Sequence, residues 1–597
     1  MSPACKGDPP PSSPKTASSE AGHTTPGTTA AATTTSEAGS GTDAETQPPS
    51  DSYSNILPED YVGPEVCGSC HKKNYALWKK HPHSTMNANA SADTVVGDFS
   101  GLRLEYGDGS VEFDQEDGHY RMTLFKQGKL HRRYNITRTI GSRIIQMYVG
   151  VQSFGPEPPE EAEVYTNEVK LPFAWWVLRK EWFPETYDEL PRSPEYDEDG
   201  ALTAPYDIYD RKGVGSLHWQ ANCIRCHNTY PYVQRLVHGR RTGFLRRDLT
   251  YTGKLPKPRK DSIGWDLLEV KDLVTVGISC ESCHLGGREH TENDRPIRFL
   301  PSSPDLKFPK ATADLFEFKN ARASAYVVNG ICRQCHSAVT PGPDYPDGGG
   351  IWSSGEAKDL AGGACQGAAR CTHCHNPHKA GPVHGGGPDE PAQVGACIGC
   401  HQEYTMPAAV QAHSHHPTAA GVTCLDCHMP RIVHGLQDMV RTHRISKPTD
   451  RRMFISGGPN ACNLCHLDRS VLWATYNIEK NWGVALNPNA SWKEWYGGEL
   501  TGPLGLRWLQ FGQPITRLVA ADAFARARPK LAKMALPSVL GILEDPRPPN
   551  RLLGQFSVER ILGRRLPPSE YLSWAPPETR ARQMAALRAK LKIAPTN

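Results

Sequence analysis

CTHCH (371–375), CIGCH (397–401), CLDCH (424–428) and CNLCH (462–466) repeat one pattern, Cys-x-x-Cys-His, four times between Cys371 and His466. The pattern also stands upstream as CGSCH (67–71), CIRCH (223–227), CESCH (280–284) and CRQCH (332–336). With 18 Cys and 24 His in 597 residues, chance gives roughly 0.02 such motifs in the chain. Cys-x-x-Cys-His is the attachment signature of c-type haem. Two thiols add across the vinyl groups, and the adjacent His is placed to ligate the iron from one side. Paired Cys-x-x-Cys units also build four-thiolate zinc sites. Zinc does not require a His directly after the second Cys, and all eight motifs have one.

The expected cofactors are therefore eight covalently attached haem c groups. Their thioether sites are Cys67, Cys70, Cys223, Cys226, Cys280, Cys283, Cys332, Cys335, Cys371, Cys374, Cys397, Cys400, Cys424, Cys427, Cys462 and Cys465. Their proximal ligands are His71, His227, His284, His336, His375, His401, His428 and His466. Only 38% of the chain is hydrophobic, and eight apolar macrocycles explain how it still buries an interior. Of 18 Cys the motifs take 16, leaving Cys5 and Cys365, so this is no disulfide scaffold. Haem attachment implies assembly outside the cytoplasm, in the periplasm or at a bacterial cell surface. The formal charge of +3 falls below zero once haem propionates are counted. The basic pairs Arg240–Arg241, Arg246–Arg247 and Arg451–Arg452 either offset propionates or form solvated surface. Nucleic-acid binding has no support.

Residues 1–58 are rich in Thr, Ala, Ser, Gly and Pro, the composition of a disordered tether. No apolar segment of a secretion signal precedes it, so a signal is expected upstream or already removed. Ala4-Cys5 ahead of a polar tether resembles the mature end of a bacterial lipoprotein, which predicts an outer-membrane lipid anchor at Cys5. Residues 59–95 should carry the first haem on a helical segment. Residues 96–212 form a β-rich insertion: LRLEY, VEF, YRMTLF and LHRRYNIT alternate, with turns expected at Asp108-Gly109, Asp117-Gly118 and Gln127-Gly128. The stretch FAWWVLRKEW (173–182) is too short and charged to span a membrane, and is expected to pack on porphyrins or on the meander. Residues 213–345 hold haems two to four, 346–370 a Gly-rich loop, and 371–480 haems five to eight. A Trp-rich connector (481–515) leads to apolar residues at helical spacing over 516–597, read as a HEAT-like helical cap for packing or docking.

The second face of each iron needs another ligand. Of 24 His, eight are in motifs and His23 is in the tether, which leaves 15 for eight positions. The candidates are His81 or His83, His218, His290, His378, one of His413, His415 and His416, His434 and His443. Met86 and Met429 are thioether alternatives that would raise the potential, though packing roles are the commoner use of Met.

The ordered set YVGPEVCGSCH, CIRCH, VGISCESCHLGGREH, CHNPH, HHPTAAGVTCLDCHMP, THRISKP and PNACNLCH resembles that of bacterial octahaem c-type cytochromes with cytochrome c-552/4 and doubled-CxxCH domains. The resemblance spans about residues 60–480. It implies a mainly α multihaem scaffold related to hydroxylamine oxidoreductase, tetrathionate reductase and pentahaem nitrite reductase, here with an inserted antiparallel β-meander and the helical cap. Those nitrite reductases replace one motif His by Lys, whereas all eight are His here. The expected function is extracytoplasmic respiratory electron transport along a chain of haems, with redox proteins or a quinol-oxidising membrane complex as partners, and association of copies as a further expectation. The alternative is a multihaem oxidoreductase of a small nitrogen or sulfur oxyanion (nitrite, hydroxylamine or tetrathionate) at one open haem. Haem four is the first suspect and haem one the second, with Tyr326, Arg333 and Tyr345 nearby.

Overall fold

The computed structural model describes residues 53–158, 162–184, 208–209, 218–237, 249–255, 257–260, 266–309, 315–316, 324–337, 350–351, 355–381, 390–435, 438–546 and 548–594. Cys5 and the tether up to residue 52, Arg240–Arg241, Arg246–Arg247, Tyr345 and the start of the Gly-rich loop lie outside them.

A curled antiparallel sheet fills the first third. Strands β1 (Leu102–Tyr106), β2 (Gly109–Glu116), β3 (His119–Lys126), β4 (Lys129–Ile140), β5 (Ile145–Phe154), β6 (Phe173–Trp176) and β7 (Glu181–Pro184) lie side by side in that order. Side chains alternate across a strand, and one face buries Val111, Phe113, Met122, Leu124, Tyr134, Ile136 and Tyr148. Asp117-Gly118 and Gln127-Gly128 take positive φ at both residues, the two-residue turn whose twist matches the strands it joins. The turn expected at Asp108-Gly109 sits one residue earlier. Gly107 takes the positive φ, while Gly109 opens β2, where a Cβ would strike the Phe125 carbonyl and Tyr209.

The stretch FAWWVLRKEW joins this sheet as its last hairpin. Trp182 stacks on Phe113 at 3.8 Å and 6°, so Phe173, Trp175 and Trp182 of the aromatic run fill the sheet's own core.

From Leu504 onward the described chain carries five α-helices: α1 (Leu504–Phe511), α2 (Pro514–Arg526), α3 (Pro529–Leu540), α4 (Pro548–Leu562) and α5 (Pro577–Leu591). Four of them start with Pro, whose fixed φ suits the first helical turn and whose missing N–H is not needed there. Leu518, Val519, Phe524, Leu540 and Leu543 form one apolar cluster with Phe454, Leu467, Trp492 and Trp508. The connector tryptophans are therefore core. The cluster reaches Trp176 of β6, which meets Phe556 edge-on at 4.9 Å, and Arg179 pairs with Glu559 at 2.8 Å.

Between these two bodies a smaller apolar cluster, with Leu249, Leu285, Leu306, Phe308, Phe316 and Val327, packs beside the third and fourth motifs. From Cys371 to Cys424 no described residue is buried. A polypeptide stretch of that length cannot hold one conformation on exposed side chains alone. Its compact short helices need an apolar filler, and the motifs name one.

Candidate functional site

Every motif sits on about one helical turn. The N–H of the motif His returns to the carbonyl of the first Cys at 2.9 Å for His71, His284, His336, His375 and His401, 3.0 Å for His466 and 3.2 Å for His227. CLDCH lies wholly inside the helix Cys424–His428. One such turn puts residues i, i+3 and i+4 on the same face, so both sulfurs and the imidazole are presented together. The sulfurs here are thiols and stand in for the thioether sulfurs of a haem-loaded chain.

The decisive geometry is what faces those imidazoles. His71 and His290 hold their ring centres 6.2 Å apart at 20° between planes. His284 and His378 stand at 6.1 Å and 13°, and His375 and His443 at 6.2 Å and 21°. His428 and His413 stand at 6.1 Å and 8°, and His466 and His416 at 6.1 Å and 28°. His336 and His83 are 6.4 Å apart and more inclined, at 54°. Stacked rings in contact would lie closer than this. A metal–imidazole bond of about 2.0 Å plus about 1.1 Å to the ring centre, taken twice, gives about 6.2 Å. The six pairs therefore fit one six-coordinate iron between each pair of rings.

In five of these rings the nitrogen turned away from the gap is held. His290 Nδ1–H donates to the Arg295 carbonyl at 2.8 Å, His416 to Ser414 at 2.7 Å and His428 to Ser446 at 2.8 Å. His413 Nδ1 meets the Tyr404 hydroxyl at 3.3 Å, and His336 Nδ1 meets Glu356 Oε2 at 3.1 Å. Fixing Nδ1 in this way leaves Nε2 as the ligating atom and sets the ring's orientation. Burial, with His81 and His336 nearby, pushes His83 down to about 3 and so keeps it in the neutral, ligating form.

The structure sorts the sequence candidates. Of His81 and His83, only His83 faces a motif His; His81 Nδ1 accepts the His83 backbone N–H at 3.1 Å. Two of the trio His413, His415 and His416 face motifs, where one was expected. His415 lies between them at φ +56 and meets Trp482 edge-on. His218 faces no motif His among the described residues. It bridges to Val169 and borders a small, open pocket with Tyr134, Gln152 and Asn167. His434 faces none either: burial among the hairpin's apolar residues pushes it down to about 4, and its Nδ1 has no partner among the described residues. Met86 offers its carbonyl to His227 Nδ1 at 3.4 Å, and Met429 offers its carbonyl to Arg441. Both act through backbone. Haems four and one, the suspected open sites, belong to motifs whose His faces another ring. Tyr326 packs on Phe316 in the local core.

Sequence proximity named His290 and His378 as candidates and concealed which motif each one faces. His290 follows the third motif by six residues yet faces the first motif's His71, and His378 follows the fifth motif yet faces His284 of the third. Glu281, an "x" residue of the third motif, had no signal beyond its position. It accepts N–H bonds from Val62 at 3.0 Å, Gly63 at 2.8 Å and Gly287 at 3.0 Å, tying the first motif's helix to the third motif's loop.

Sulfur neighbours give the order of the motifs in space. Cys67 lies beside Cys280, Cys332 beside Cys371, and Cys335 beside Cys226 and near Cys283. Cys397 feels Cys374 and Cys424, and Cys427 feels Cys462 and Cys465. The motifs thus run one–three–four–five–six–seven–eight, with the second as a spur on the fourth.

Residues 401–481 match the cytochrome c552 family. The matched stretch contains the sixth motif's His401, the whole seventh and eighth motifs and the facing residues His413, His416 and His443. No curated protein matches the chain. Among solved structures it is similar to the outer cell wall cytochrome OcwA, at 16% identity over 89% of this chain and 100% of that one, with a TM-score of 0.34. The family match and the paired Cys and His geometry support a c-type cytochrome that carries haem c and works in electron transfer, a class located outside the cytoplasm. No described helix is long and apolar enough to cross a membrane.

Proposed function

We propose that the chain is an octahaem electron carrier in which eight haem c groups form one branched conduit. Six imidazole pairs at 6.1–6.4 Å carry this reading. A histidine on each face closes both axial positions, so those sites offer electron exchange without a place for substrate. Bound haem supplies reversible one-electron iron chemistry. The chain's residues fix ring orientation through Nδ1, tether the rings through sulfur, and bring consecutive motifs into contact. The sheet and the five C-terminal helices are read as supports on either side, the helices as a HEAT-like cap.

Intact mass together with haem absorbance should give eight haems per chain. EPR should show mainly low-spin iron, and film voltammetry should show reversible current without substrate. Fewer haems, or a mostly high-spin spectrum, would overturn the conduit.

One observation favours a second reading. Among the described residues no imidazole faces His401 at such a separation; its ring neighbours Tyr404, and its Nδ1 meets Glu403 Oε1 at 3.4 Å. If an oxyanion is reduced, the sixth haem is its site, in place of the fourth or first. Catalytic current with nitrite, hydroxylamine or tetrathionate would establish it, and a spectrum indifferent to cyanide would remove it. The lipid anchor at Cys5, the redox partners and association of copies remain part of the proposal. They place the carrier on the outer side of a bacterial membrane.

A further inference from the structure

The helix Glu356–Ala361 closes on the fourth motif at two points. Glu356 Oε2 accepts from His336 Nδ1 at 3.1 Å, and the Ala357 N–H donates to the His336 carbonyl at 2.9 Å. The acceptor type sets this contact apart. His428, His290 and His416 give their Nδ1 protons to backbone carbonyls. His401 also meets a carboxylate, but Glu403 is more distant at 3.4 Å and its side chain is 57% exposed against 27% for Glu356. A negative acceptor in an enclosed site pulls harder on the imidazole proton than a carbonyl does. The imidazole then donates more charge to its metal, which favours the oxidised ion. The carboxylate's own charge acts in the same direction.

We propose that Glu356 is a positioning residue that lowers the potential of the haem on His336 below those of the other histidine-paired haems. The location gives this its consequence. The fourth motif is the junction, touching the second through Cys335–Cys226, the fifth through Cys332–Cys371 and the third through Cys283. A low-potential junction separates the first and third haems, the second haem, and the fifth to eighth haems, each group able to hold electrons. Traffic between the groups is then set by one uphill site. This rests on the eight-haem reading above.

The test is an EPR-monitored redox titration of the full holoprotein, with Glu356→Gln and Glu356→Asp beside the wild type. In the wild type, one histidine-paired haem should titrate below the rest. In Glu356→Gln that haem's reduction constant should rise at least tenfold, which is ~59 mV for one electron, while Glu356→Asp, still a carboxylate, stays nearer the wild type. Eight haems in the Gln variant with every potential unchanged would overturn the assignment. Fewer than eight in the wild type would overturn the conduit reading instead. If Glu356→Gln yields no holoprotein, near-infrared magnetic circular dichroism of the wild type decides. One haem's charge-transfer band displaced from the neutral bis-imidazole position supports the role of Glu356, and a single undisplaced band refutes it.

Discussion

Replacing His290 by alanine tests the crossed pairing directly. His290 stands 6.2 Å from His71 of the first motif and is held by the Arg295 carbonyl at 2.8 Å. The chain order Cys283–His284–His290 would suggest instead that it serves the third. Alanine removes the whole ring and touches no thioether site, so haem content should stay at eight while one haem loses its second nitrogen ligand. In EPR that is one iron in eight moving from low to high spin. The axial ligand is a main determinant of potential, over a range of about 0.8 V across proteins, so the same haem should also move to higher potential. His218→Ala and His434→Ala should leave the spin count unchanged, because neither ring faces a motif His. The crossing is checked by adding Cys67→Ala and Cys70→Ala to His290→Ala. With no haem on the first motif, the high-spin signal should vanish. A high-spin signal that survives in this triple variant, or an entirely low-spin His290→Ala protein, would refute the pairing.

Two further outcomes follow from side chains outside the haem gaps. Glu281→Ala removes three charge-assisted bonds at a residue only 2% exposed. Each is worth about 1.5–3 kcal/mol, and the freed N–H groups partly regain water, so a net loss of about 3 kcal/mol is expected. A denaturant midpoint unchanged from wild type would refute it, and Glu281→Gln should lose less. Asp522 of α2 and Asp438 of the Arg431–Arg441 hairpin share Arg526 and Arg560, with contacts of 2.7–2.8 Å. Burial first, and Asp438's charge second, raise Asp522 to about 6. Asp438 is held below its usual value by Arg526 and Arg560 in spite of burial. A raised carboxyl contributes stability present below its unfolded value of about 3.9 and lost as pH climbs through the folded one. Thermal stability should therefore decline from about pH 4 to about pH 6 on account of Asp522. Asp438 contributes the opposite slope, at lower pH. Asp522→Asn should flatten the decline, and an unchanged slope would refute the assignment.

The parts of this protein that are local in sequence were legible there. An i, i+3, i+4 motif is one helical turn wherever it occurs, so the eight Cys-x-x-Cys-His turns needed no tertiary knowledge. The strands over 102–154 were legible because alternation has a period of two and their tight turns demand φ > 0, which Asp117-Gly118 and Gln127-Gly128 supply. Gly107-Asp108-Gly109 offered two glycines, and the choice between them was made by Phe125 on the neighbouring strand, beyond any local reading. Although His81, His218, His415 and His434 were named beside them and face no motif His among the described residues, the six facing histidines were among the candidates because most stand near a motif. Their assignment to particular motifs was not legible, since it depends on which segments meet in three dimensions. Glu356 and Glu281 were invisible for the same reason: each acts on a motif that its own sequence neighbourhood does not reveal.

That crossed supply of ligands bears on how the fold holds together. If each iron were ligated twice by its own short segment, the haem lobes would be beads on a string, and the stretch 371–424, with no buried side chain among its described residues, would have nothing to fix one bead against the next. Instead His83 reaches the fourth motif, His290 the first and His378 the third. Three segments far apart in the chain are thereby pinned at one point each to a rigid plane. Each such closure restricts the unfolded chain at a cost that grows only slowly with loop length, so long crossings stabilise about as effectively as short ones. In the proposed conduit the same pins that bring neighbouring haems into contact also supplement the small side-chain core beside them. The spacing of the conduit and the stability of the lobe are one property, and a substitution that loosens one should loosen the other.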